Sequence, residues 1–376
     1  MTAAVLERIA SELALFAAVG FLLSALDDLL VDAIYFARKA RQAISRRGQP
    51  IRDARDLPKP SKSGWMVVLV PAWDEAAVIA PMLRSTLERL NHRDFTLLVG
   101  HYRNDPATAA AIVTVDDPRV VAVQVPASGP TTKADCLNHL YTALVRLEAE
   151  RRVSAKAVIL HDAEDLVHPL ELKVFDALIE QAALVQLPVV PLTDPASSWI
   201  AGHYCDEFAE SHGKELVVRE AVGAAVPLAG VGCAIARATL SALAAENGGK
   251  PFAVSSMTED YEMGLRVGAL GGRTIFVRLP KERGQPGVVA SRGHFPSTLG
   301  TAVRQKARWL GGIAFAGWER LGWHGGWGER WFRMRDRKGP LAAVLLLAGY
   351  LAALCWGQLE LAEDWVLRRH RLRQRR

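Results

Sequence analysis

The sequence predicts an α/β domain with a doubly wound, mostly parallel sheet, flanked by membrane helices. Short apolar segments alternate with longer amphipathic ones between residues 65 and 277, which is the pattern of strands and helices in such a sheet. Polar residues follow several of the apolar segments, where folds of this class bind ligands. Long apolar segments also lie near both ends of the 376-residue chain, and half of all residues are apolar.

The basic residues are concentrated beside the apolar ends. Lysine and arginine exceed aspartate and glutamate by 46 to 40, and basic clusters occur at 38–47 and 368–376. Basic flanks of apolar segments are typical of contact with anionic lipid headgroups. They do not form the stripe with base-stacking aromatic residues that nucleic-acid binding would need. The four cysteines have no C-x-x-C spacing, so neither a zinc site nor a disulfide framework is indicated.

Residues 1–47 are predicted to hold an N-terminal membrane helix and its basic flank. Leu13–Ala37 is long enough to span a bilayer and has no obvious cleavage site, which argues against a signal peptide. Asp27, Asp28 and Asp32 fall in its second half, where carboxylates are costly unless they face protein, water or an interface. An interfacial amphipathic helix is therefore the alternative. The basic residues that follow predict a cytoplasmic exit.

The globular part is predicted to begin after a linker at residues 48–64, which contains three prolines and several charges. Strands are predicted at Trp65–Pro71, Phe95–Gly100, Val120–Val125, Ala157–Leu160, Leu184–Leu192 and Arg273–Val277. Helices are predicted at Ala76–Leu90, Pro106–Ile112, Lys133–Glu150, Pro169–Ala183, Ser197–Val222 and Glu259–Leu270.

Two glycine-rich stretches are candidates for ligand contact. Leu228–Ala236 carries glycines that would let the backbone pack closely against a ligand. Pro280–Ser297 is rich in glycine, proline and charge, and a loop of that kind is a candidate lid.

An acidic cluster follows the predicted strand Ala157–Leu160. It comprises Asp162, Glu164 and Asp165, whose carboxylates repel one another unless a cation or a basic partner joins them. The expected cation is Mg²⁺ or Mn²⁺, which one or two carboxylates hold together with phosphate oxygens. Aspartate and glutamate also suit the start of a helix, so the residues alone leave a metal site and an acidic helix cap equally open.

Three further polar positions lie at the ends of predicted strands or helices. Thr258-Glu259-Asp260 opens a helix, where Thr258 suits the N-cap, but a carboxylate at this edge of the sheet could also be a general base. Asp105 follows the second strand, where a lone aspartate is usually a turn former. Lys133 begins a helix against the helix dipole, which indicates another role, such as contact with a phosphate.

The segment QKARW combines three groups that can bind one ligand. Gln305, Arg308 and Trp309 fall on or near one helical face. They offer an amide, a planar cation that can grip a diphosphate, and an indole that can stack on a sugar ring. The alternative is a basic amphipathic helix that lies on a membrane.

The chain then returns to membrane-like sequence. Tryptophans and basic residues interleave over residues 318–338, which is typical of a membrane–water interface. Pro340–Leu361 is about one bilayer thickness of apolar residues. If this helix crossed fully, the basic residues 368–376 would lie outside, against the positive-inside rule. We therefore expect a re-entrant or interfacial helix, or a native chain that continues into further spans.

In this order, these segments resemble the membrane-bound, processive-like branch of glycosyltransferase family 2, to which cellulose and hyaluronan synthases belong. The matching segments are VLVPAWDE (Val68–Glu75), Asp105, KADCLN (Lys133–Asn138), DAED (Asp162–Asp165), TED (Thr258–Asp260) and QKARW, the family's QxxRW. Within this branch the chain is most similar to the NfrB-like inner-membrane glycosyltransferases tied to phage adsorption, through the shorter segments DDLLVD, HFPSTL and GWERLGW.

The resemblance implies a GT-A fold, which is Rossmann-like with a mostly parallel sheet, for residues 65–300. It implies QxxRW and interfacial helices at 301–338, and a C-terminal membrane helix with a basic tail at 339–376. Nucleotide-sugar binding is implied for Pro71, Glu75, Asp105, Lys133, Asp162 and Glu164.

The resemblance also implies the chemistry of the site. Asp162 and Glu164 stand at the DxD positions and would hold Mg²⁺ or Mn²⁺, with Asp165 as a further candidate. The second acid is Glu here, and its longer arm can still reach a cation. Asp260 would be the catalytic base, with Glu259 beside it in the catalytic motif. The acceptor and the diphosphate would be bound by Gln305, Arg308 and Trp309.

The implied activity is inverting transfer of a sugar, expected from a UDP-sugar, to a glycan or lipid-linked acceptor. It would take place at the cytoplasmic face of a bacterial inner membrane, in cell-surface or exopolysaccharide synthesis, with export or outer-membrane proteins as partners and no nucleic acid. One alternative is a catalytically weak, membrane-anchored glycan assembly or binding protein on the same fold, which Glu164 suggests. A soluble nucleotidyltransferase is another, but it would not need the membrane helices.

Overall fold

The computed structural model describes residues 3–47, 53–54, 56–282 and 287–374, without the side chains of residues 363 and 366–374. Residues 48–52 and 55 of the predicted linker, residues 283–286 of the predicted lid and the last two arginines of the predicted tail lie outside the described residues. The chain divides into two compact units, Met1–Ala40 with Met334–Arg376, and Arg41–Arg333.

The larger unit has the predicted α/β architecture. Its strands are β1 (Met66–Pro71), β2 (Phe95–Tyr102), β3 (Val120–Val125), β4 (Ala157–Leu160), β5 (Leu184–Gln186), β6 (Val189–Leu192), β7 (Cys233–Ala236), β8 (Thr274–Phe276) and β9 (Ser291–His294). Among the described residues, seven strands form one sheet in the order β3-β2-β1-β4-β7-β5-β8, and β6 pairs with β9 in a second sheet. The pairs in the main sheet are parallel, except that β7 runs antiparallel to β4 and β5.

The helices of the chain are α1 (Ala3–Ser45), α2 (Ile79–Arg89), α3 (Pro106–Val113), α4 (Lys133–Arg151), α5 (Glu171–Leu178), α6 (Ser198–Glu210), α7 (Leu216–Ala221), α8 (Arg237–Glu246), α9 (Glu259–Ala269), α10 (Leu299–Leu310), α11 (Gly317–Leu321), α12 (Trp327–Arg337) and α13 (Gly339–Gln374). Short π-helical segments join α6 to α7 at Ser211–Glu215 and α10 to α11 at Gly311–Ala316.

Helices cover both faces of the main sheet, as expected for a mostly parallel sheet. Alternate residues of a strand point to opposite faces, so Met66, Val68 and Val70 of β1 pack in one buried cluster with α2 and α5. Val67 and Leu69 pack in another with α4, α8 and α9. The apolar run of β1 is therefore buried on both sides.

The single strand predicted at Leu184–Leu192 is wrong. β5 ends at Gln186 and β6 begins at Val189, in the other sheet. Pro188 lies between them and has no amide hydrogen to donate to a ladder, while its carbonyl accepts a hydrogen bond from Ser291 of β9 at 3.1 Å. The chain therefore leaves the main sheet at this proline.

Other predicted bounds shift in the structure. The helix predicted at Ala76–Leu90 begins at Ile79, after a turn, and the helix predicted at Pro169–Ala183 covers only Glu171–Leu178. The predicted lid is not loop throughout, because it contains β9, which pairs with β6.

The smaller unit contains most of α1 and all of α13. By length and composition alone, Ala3–Ser45 and Gly339–Ala362 could each cross a membrane. The two helices run antiparallel, and small residues lie where they touch. Gly20 faces Leu345, and a β-carbon on Gly349 would lie 3.8 Å from Ala17.

Asp27 and Asp28 of α1 have cationic partners in this unit. Arg335 pairs with Asp27 and, at 3.0 Å, with Asp28. Lys338 lies 2.8 Å from Asp28 and 3.3 Å from Asp27. The cost of carboxylates in an apolar helix, which the sequence raised, is offset here by ion pairs between the helices.

Candidate active site

The predicted motifs converge at one edge of the main sheet. β1 pairs in parallel with β2 and β4, with Pro71 opposite Gly100 and Leu69 opposite Leu160. Because β7 is antiparallel to β4, its first residue, Cys233, also lies opposite Leu160. The segments that follow β1, β2 and β4 and the glycines that precede β7 therefore meet at this edge, where such sheets bind ligands.

Asp105 fixes the loop after β1 to the start of α3. One carboxylate oxygen accepts from the Thr108 amide at 3.1 Å and the other from the Asp74 amide at 2.7 Å. Asp74 has a positive φ of 58°, a backbone state that is uncommon outside glycine. Burial alone would raise the pKa of Asp105, but the hydrogen bonds from Thr108 and Asp74 outweigh burial and lower it. Asp105 is thus the N-cap of α3 and also holds the loop that carries Glu75.

The acidic cluster forms a turn and not a helix cap. The Asp165 amide donates to the Asp162 carbonyl at 3.3 Å, and α5 begins only at Glu171. The helix-cap interpretation of these carboxylates is therefore wrong. Asp162 and Glu164 keep exposed surface, whereas Asp165 is buried.

Asp165 points into the protein. Its Oδ2 accepts from the Asp162 amide at 3.0 Å and lies 2.8 Å from Nδ1 of His161, and its Oδ1 faces Gly293. The carboxylates that remain open to the cleft are those of Asp162 and Glu164.

Two glutamates near this turn titrate above their usual range. Glu164 reaches solvent, but its place in the cleft removes part of its hydration. This loss, and then repulsion from Asp162 and Glu75, raises its pKa to about 7. Partial burial, and then Asp162, also raises the pKa of Glu75. Negative charge is therefore crowded here, and a cation would relieve it.

Lys133 is the positive centre of the site. It begins α4 and forms an ion pair with Asp162. Burial alone would lower the pKa of Lys133, but Asp162, Glu259 and Asp260 outweigh burial and raise it. The ammonium thus stays charged, in contact with a carboxylate here and within the field of two others.

Gly230 lies next to the side chains of both Lys133 and Asp260. A β-carbon at Gly230 would lie 2.6 Å from Oδ2 of Asp260 and 3.4 Å from Nζ of Lys133. Its φ of +78° also disfavours any other residue. The glycine-rich stretch therefore packs closely against two candidate site residues, the base candidate Asp260 and Lys133, and its contact with a ligand stays a prediction.

A buried glutamine shapes that glycine loop. Gln186, at the end of β5, donates to the carbonyls of Val231 at 3.0 Å and Gly232 at 3.2 Å. Its carbonyl oxygen accepts from the Ala229 amide at 2.9 Å. Sequence reasoning missed Gln186, because its partners lie more than 40 residues away along the chain.

The start of α9 carries Glu259 and Asp260. Burial, and then Asp260, raises the pKa of Glu259 to about 7. Burial also raises the pKa of Asp260, and Lys133 and Arg308 offset only part of that rise. Thr258 stands at the N-cap position as predicted, but its side chain makes no capping bond. The Thr258 hydroxyl is buried without a partner among the described residues and faces Gly312.

Helix α10 directs the three QKARW side chains to different surroundings. Arg308 is exposed, and its charge acts on Glu259 and Asp260. Trp309 packs edge-on against Tyr204 of α6, with ring centroids 6.2 Å apart. Within the described residues, Gln305 Oε1 is buried without a hydrogen-bond partner. Arg308 thus joins the carboxylate side of the site, and Trp309 joins an aromatic cluster on α6.

That aromatic cluster was not anticipated from sequence. It comprises Tyr204, Phe208, Phe295 and Trp309, with ring centroids 4.7–6.3 Å apart. Lys306 pairs with Glu207 of α6 and lies over the Trp309 ring, 5.2 Å from its centroid. Helix α10 also presents exposed Leu299, Val303 and Leu310. The amphipathic interpretation of this helix is therefore compatible with its part in the site.

The carboxylate oxygens of this turn fit a hard cation that is coordinated partly by the protein and partly by a substrate. Within the described ranges, no group of three or more His, Cys, Asp or Glu side chains is placed to hold a metal ion alone. Asp162 and Glu164 are open, adjacent and mutually repelling. Mg²⁺ and Mn²⁺ sites that use one or two carboxylates with phosphate oxygens need no more than this from the protein.

The fold and the acidic edge define a glycosyltransferase domain. Residues 63–312 match the family described as "Glycosyltransferase like family 2", and the chain belongs to that family. The structure resembles the mannosyltransferase PcManGT from Pyrobaculum calidifontis, solved with GDP-Man and Mn²⁺. That match has a TM-score of 0.59 and 18% identity, and covers 92% of this chain and 87% of that one. It confirms the GT-A fold.

Curated relatives cover the whole arrangement of domain and flanking helices. The chain is 38% identical over 364 residues to bacteriophage adsorption protein B of Escherichia coli K12, and equally to bacteriophage N4 adsorption protein B of E. coli O157:H7. Each match covers 92% of this chain and 48% of the relative. The chain thus spans about half the length of these relatives, and the resemblance to NfrB-like proteins is confirmed.

Proposed function

We propose that this chain transfers a sugar, with inversion, from a nucleotide sugar to a glycan or lipid-linked acceptor at the cytoplasmic face of a bacterial inner membrane. One observation carries the proposal. Lys133 pairs with Asp162, the first DxD carboxylate, and shares Gly230 as a neighbour with Asp260, the base candidate. A donor diphosphate and a proton-accepting carboxylate would thus be placed side by side.

The chemistry follows from that neighbourhood. The oxygen of an acceptor hydroxyl forms a bond to the anomeric carbon, and the bond from that carbon to the diphosphate oxygen breaks. The electron pair leaves with the nucleoside diphosphate, and Asp260 takes the hydroxyl proton. Attack from the face opposite the leaving group inverts the configuration. The raised pKa of Asp260, caused first by burial, makes its carboxylate a better base.

Positive charge around the leaving group would lower the barrier. Lys133 and Arg308 are the cations whose fields reach the carboxylates of the site, and each can stabilise charge that develops on the diphosphate. Asp162 and Glu164 would hold Mg²⁺ or Mn²⁺, which when bound neutralises charge on the diphosphate oxygens. Glu75, on the loop after Pro71, and Asp105, whose carboxylate fixes that loop, would line the nucleotide end.

The acceptor would lie on the α10 side. The half-buried Gln305 offers an amide group that can hydrogen-bond a sugar hydroxyl, and Trp309, one turn later on α10, offers an indole. Because the curated relatives are bacteriophage adsorption proteins, we propose a cell-surface glycan as the product. Export or outer-membrane proteins would then be partners.

One observation favours a second candidate, a catalytically weak glycan-binding or assembly protein. Glu164 stands where the resemblance leads one to expect the second Asp of the DxD positions. Such a protein would bind a nucleotide sugar without turnover. Its binding of the nucleotide sugar would be unchanged when Asp260 is replaced.

Transfer assays separate the two candidates. Membranes that contain the full chain are incubated with radiolabelled UDP-glucose, UDP-galactose, UDP-N-acetylglucosamine or GDP-mannose, and label in lipid and polymer fractions is counted. Asp260→Asn should reduce transfer at least about 100-fold while the Kd for UDP stays within about two-fold. The control is Asp116→Asn, an exposed residue before β3, which should transfer normally.

Two outcomes would count against the proposal. Near-normal transfer by Asp260→Asn would remove the base assignment. Binding of UDP or GDP by the wild-type chain, with no transfer from any of the four donors, would favour the catalytically weak protein.

A further inference from the structure

His161 lies buried between the acidic turn and helix α5. Its Nδ1 is 2.8 Å from Oδ2 of Asp165, and its Nε2 is 2.5 Å from Oε1 of Glu171. Only 1% of His161 and none of Glu171 is exposed. Because both ring nitrogens meet carboxylate oxygens inside the protein, the three side chains form one continuous chain of polar contacts.

This series of polar contacts ends on the backbone of Asp162. The Asp165 oxygen that meets His161 also accepts the Asp162 amide at 3.0 Å. The Asp165 amide in turn donates to the Asp162 carbonyl at 3.3 Å. Asp162 and Asp165 are thus joined by two hydrogen bonds across the turn, and the contact with His161 holds the Asp165 side chain in place.

Secondary-structure elements hold the other end of this series of contacts, at His161 and Glu171. Glu171 lies in the first turn of α5, where a carboxylate is favourable next to the helix dipole. His161 directly follows β4. Leu166, just past the turn, exchanges backbone hydrogen bonds with Arg292 at 2.7 and 3.1 Å. Between these fixed points only the short turn with Glu164 could move.

We propose that Asp165, His161 and Glu171 are positioning residues that hold Asp162 and Glu164 ready for the cation and diphosphate of the donor. This inference rests on the proposed function, because it takes those two carboxylates as the donor-binding ones. It gives Asp165 the role of an anchor and not of a cation ligand. Both of its oxygens lie inside the protein, against His161, the Asp162 amide and Gly293.

These contacts would raise affinity for the donor by preorganising the acidic turn. A turn already held in its binding geometry does not lose conformational freedom when the ligand arrives. Partners behind metal ligands typically account for about 10- to 100-fold in metal affinity. Loss of the Asp165 carboxylate should therefore weaken binding of the cation–nucleotide pair by about that factor, although Asp165 would not touch it.

The test measures binding and not turnover. The full chain in detergent is titrated with UDP in the presence and absence of Mn²⁺ by calorimetry, and bound Mn²⁺ is measured by electron paramagnetic resonance. Asp165→Ala should weaken Mn²⁺-dependent UDP binding about 10- to 100-fold. Asp165→Asn keeps an oxygen that can accept the Asp162 amide, and it should recover most of that loss.

A second variant distinguishes an anchor from a ligand. His161→Gln leaves the Asp165 carboxylate in place but breaks the link to Glu171, and should weaken the same binding about 10-fold. If Asp165 were a direct ligand, this change would leave affinity as in wild type. Asp165→Asn is isosteric and keeps the test available if Asp165→Ala does not fold, and the melting temperature of each variant is measured beside its affinity.

Asp176→Ala is the matched control. Asp176 is a buried carboxylate tied to Lys156 at 2.6 Å and to Ser63, in contacts separate from the turn. Its loss should lower the melting temperature and leave UDP affinity unchanged. Wild-type affinity in both Asp165→Ala and His161→Gln, with binding lost in Asp162→Asn, would overturn this inference alone. A wild-type chain that binds neither UDP nor GDP would overturn the proposed function and this inference with it.

Discussion

Oδ2 of Asp260 lies 2.6 Å from the point that a β-carbon on Gly230 would occupy. The Asp260 carboxylate therefore occupies space that any side chain at position 230 would need. Gly230 also has a φ of +78°. Steric exclusion and backbone conformation both require glycine at this position, and the two effects can be separated experimentally.

Gly230→Ala should displace the Asp260 carboxylate. Misplacement of a reacting group by about 1 Å costs about 100-fold in rate, so kcat should fall by about that factor. The matched control is Gly271→Ala, with a φ of +76° and no atom within 4 Å of the added carbon. It carries the same backbone strain, about 1–3 kcal/mol, without the contact. Equal losses of activity in the two variants would show that strain alone explains the effect.

Chelation should stop transfer. With EDTA, Asp162 and Glu164 lose the proposed cation, and repulsion between their carboxylates and the diphosphate would disfavour its binding. Activity should fall to background and return when Mg²⁺ or Mn²⁺ is added in excess. The measurement is label transfer across a cation titration, with Ca²⁺ as a comparison ion. Full activity in chelator would contradict the proposed role of the two carboxylates.

Glu259 should make stability depend on pH. Burial, and then Asp260, raises its pKa from 4.5 to about 7, so the folded state binds its proton more tightly than the unfolded state does. The resulting destabilisation is absent below pH 4.5, grows as pH rises to about 7, and is constant above. It amounts to about 3 kcal/mol at most.

Glu259→Gln removes this proton linkage. The melting temperature of the variant should exceed that of the wild type by more at pH 8 than at pH 5. Scanning calorimetry of both proteins in detergent at the two pH values measures the difference. The same advantage at both pH values would show that Glu259 titrates normally in the folded protein.

Arg335 should stabilise the smaller unit. It is buried and pairs with Asp27 and Asp28. Both aspartates keep Lys338 as a second partner, so removal of Arg335 should cost less than the roughly 3 kcal/mol of a fully buried ion pair. Arg335→Ala should therefore lower the melting temperature in detergent. Arg330→Ala, an exposed arginine of the same helix, is the control and should have little effect.

Neutral aspartate replacements test the charge explanation. Asp27→Asn with Asp28→Asn should restore part of the stability lost in Arg335→Ala, because Lys338 then no longer balances two carboxylates alone. A double replacement that melts no higher than Arg335→Ala alone would indicate that packing of the arginine side chain, and not its charge, is what matters.

Local sequence signals account for most of the fold. β3 and β4 have the predicted bounds, because each is an apolar, β-branched run that ends in polar residues. β5 and β6 were merged, because Pro188 divides a run whose apolar pattern is continuous. An apolar pattern reports burial, and both strands are largely buried although they belong to different sheets.

The candidate site was less predictable, because its geometry depends on distant contacts. The acidic and basic motifs identified Lys133 and Asp162 as candidates, but nothing local indicated that they pair. Gln186 and His161 act through partners that only the folded chain brings near. Asp165 shares an acidic motif with Asp162, and only the structure shows that it faces inward.

The antiparallel strand β7 has a consequence for how the site can change. The chain leaves the sheet edge at the acidic turn after β4 and comes back to it at Gly230 before β7. The segment in between includes α6, which contributes Tyr204 and Phe208 against Trp309. This segment also returns to the main sheet as β5, so its paired strands are fixed while α6 lies outside the sheet. Under the proposed function, α6 could then vary without a change in the strand register on the donor side, and acceptor choice would be a modular property of the domain.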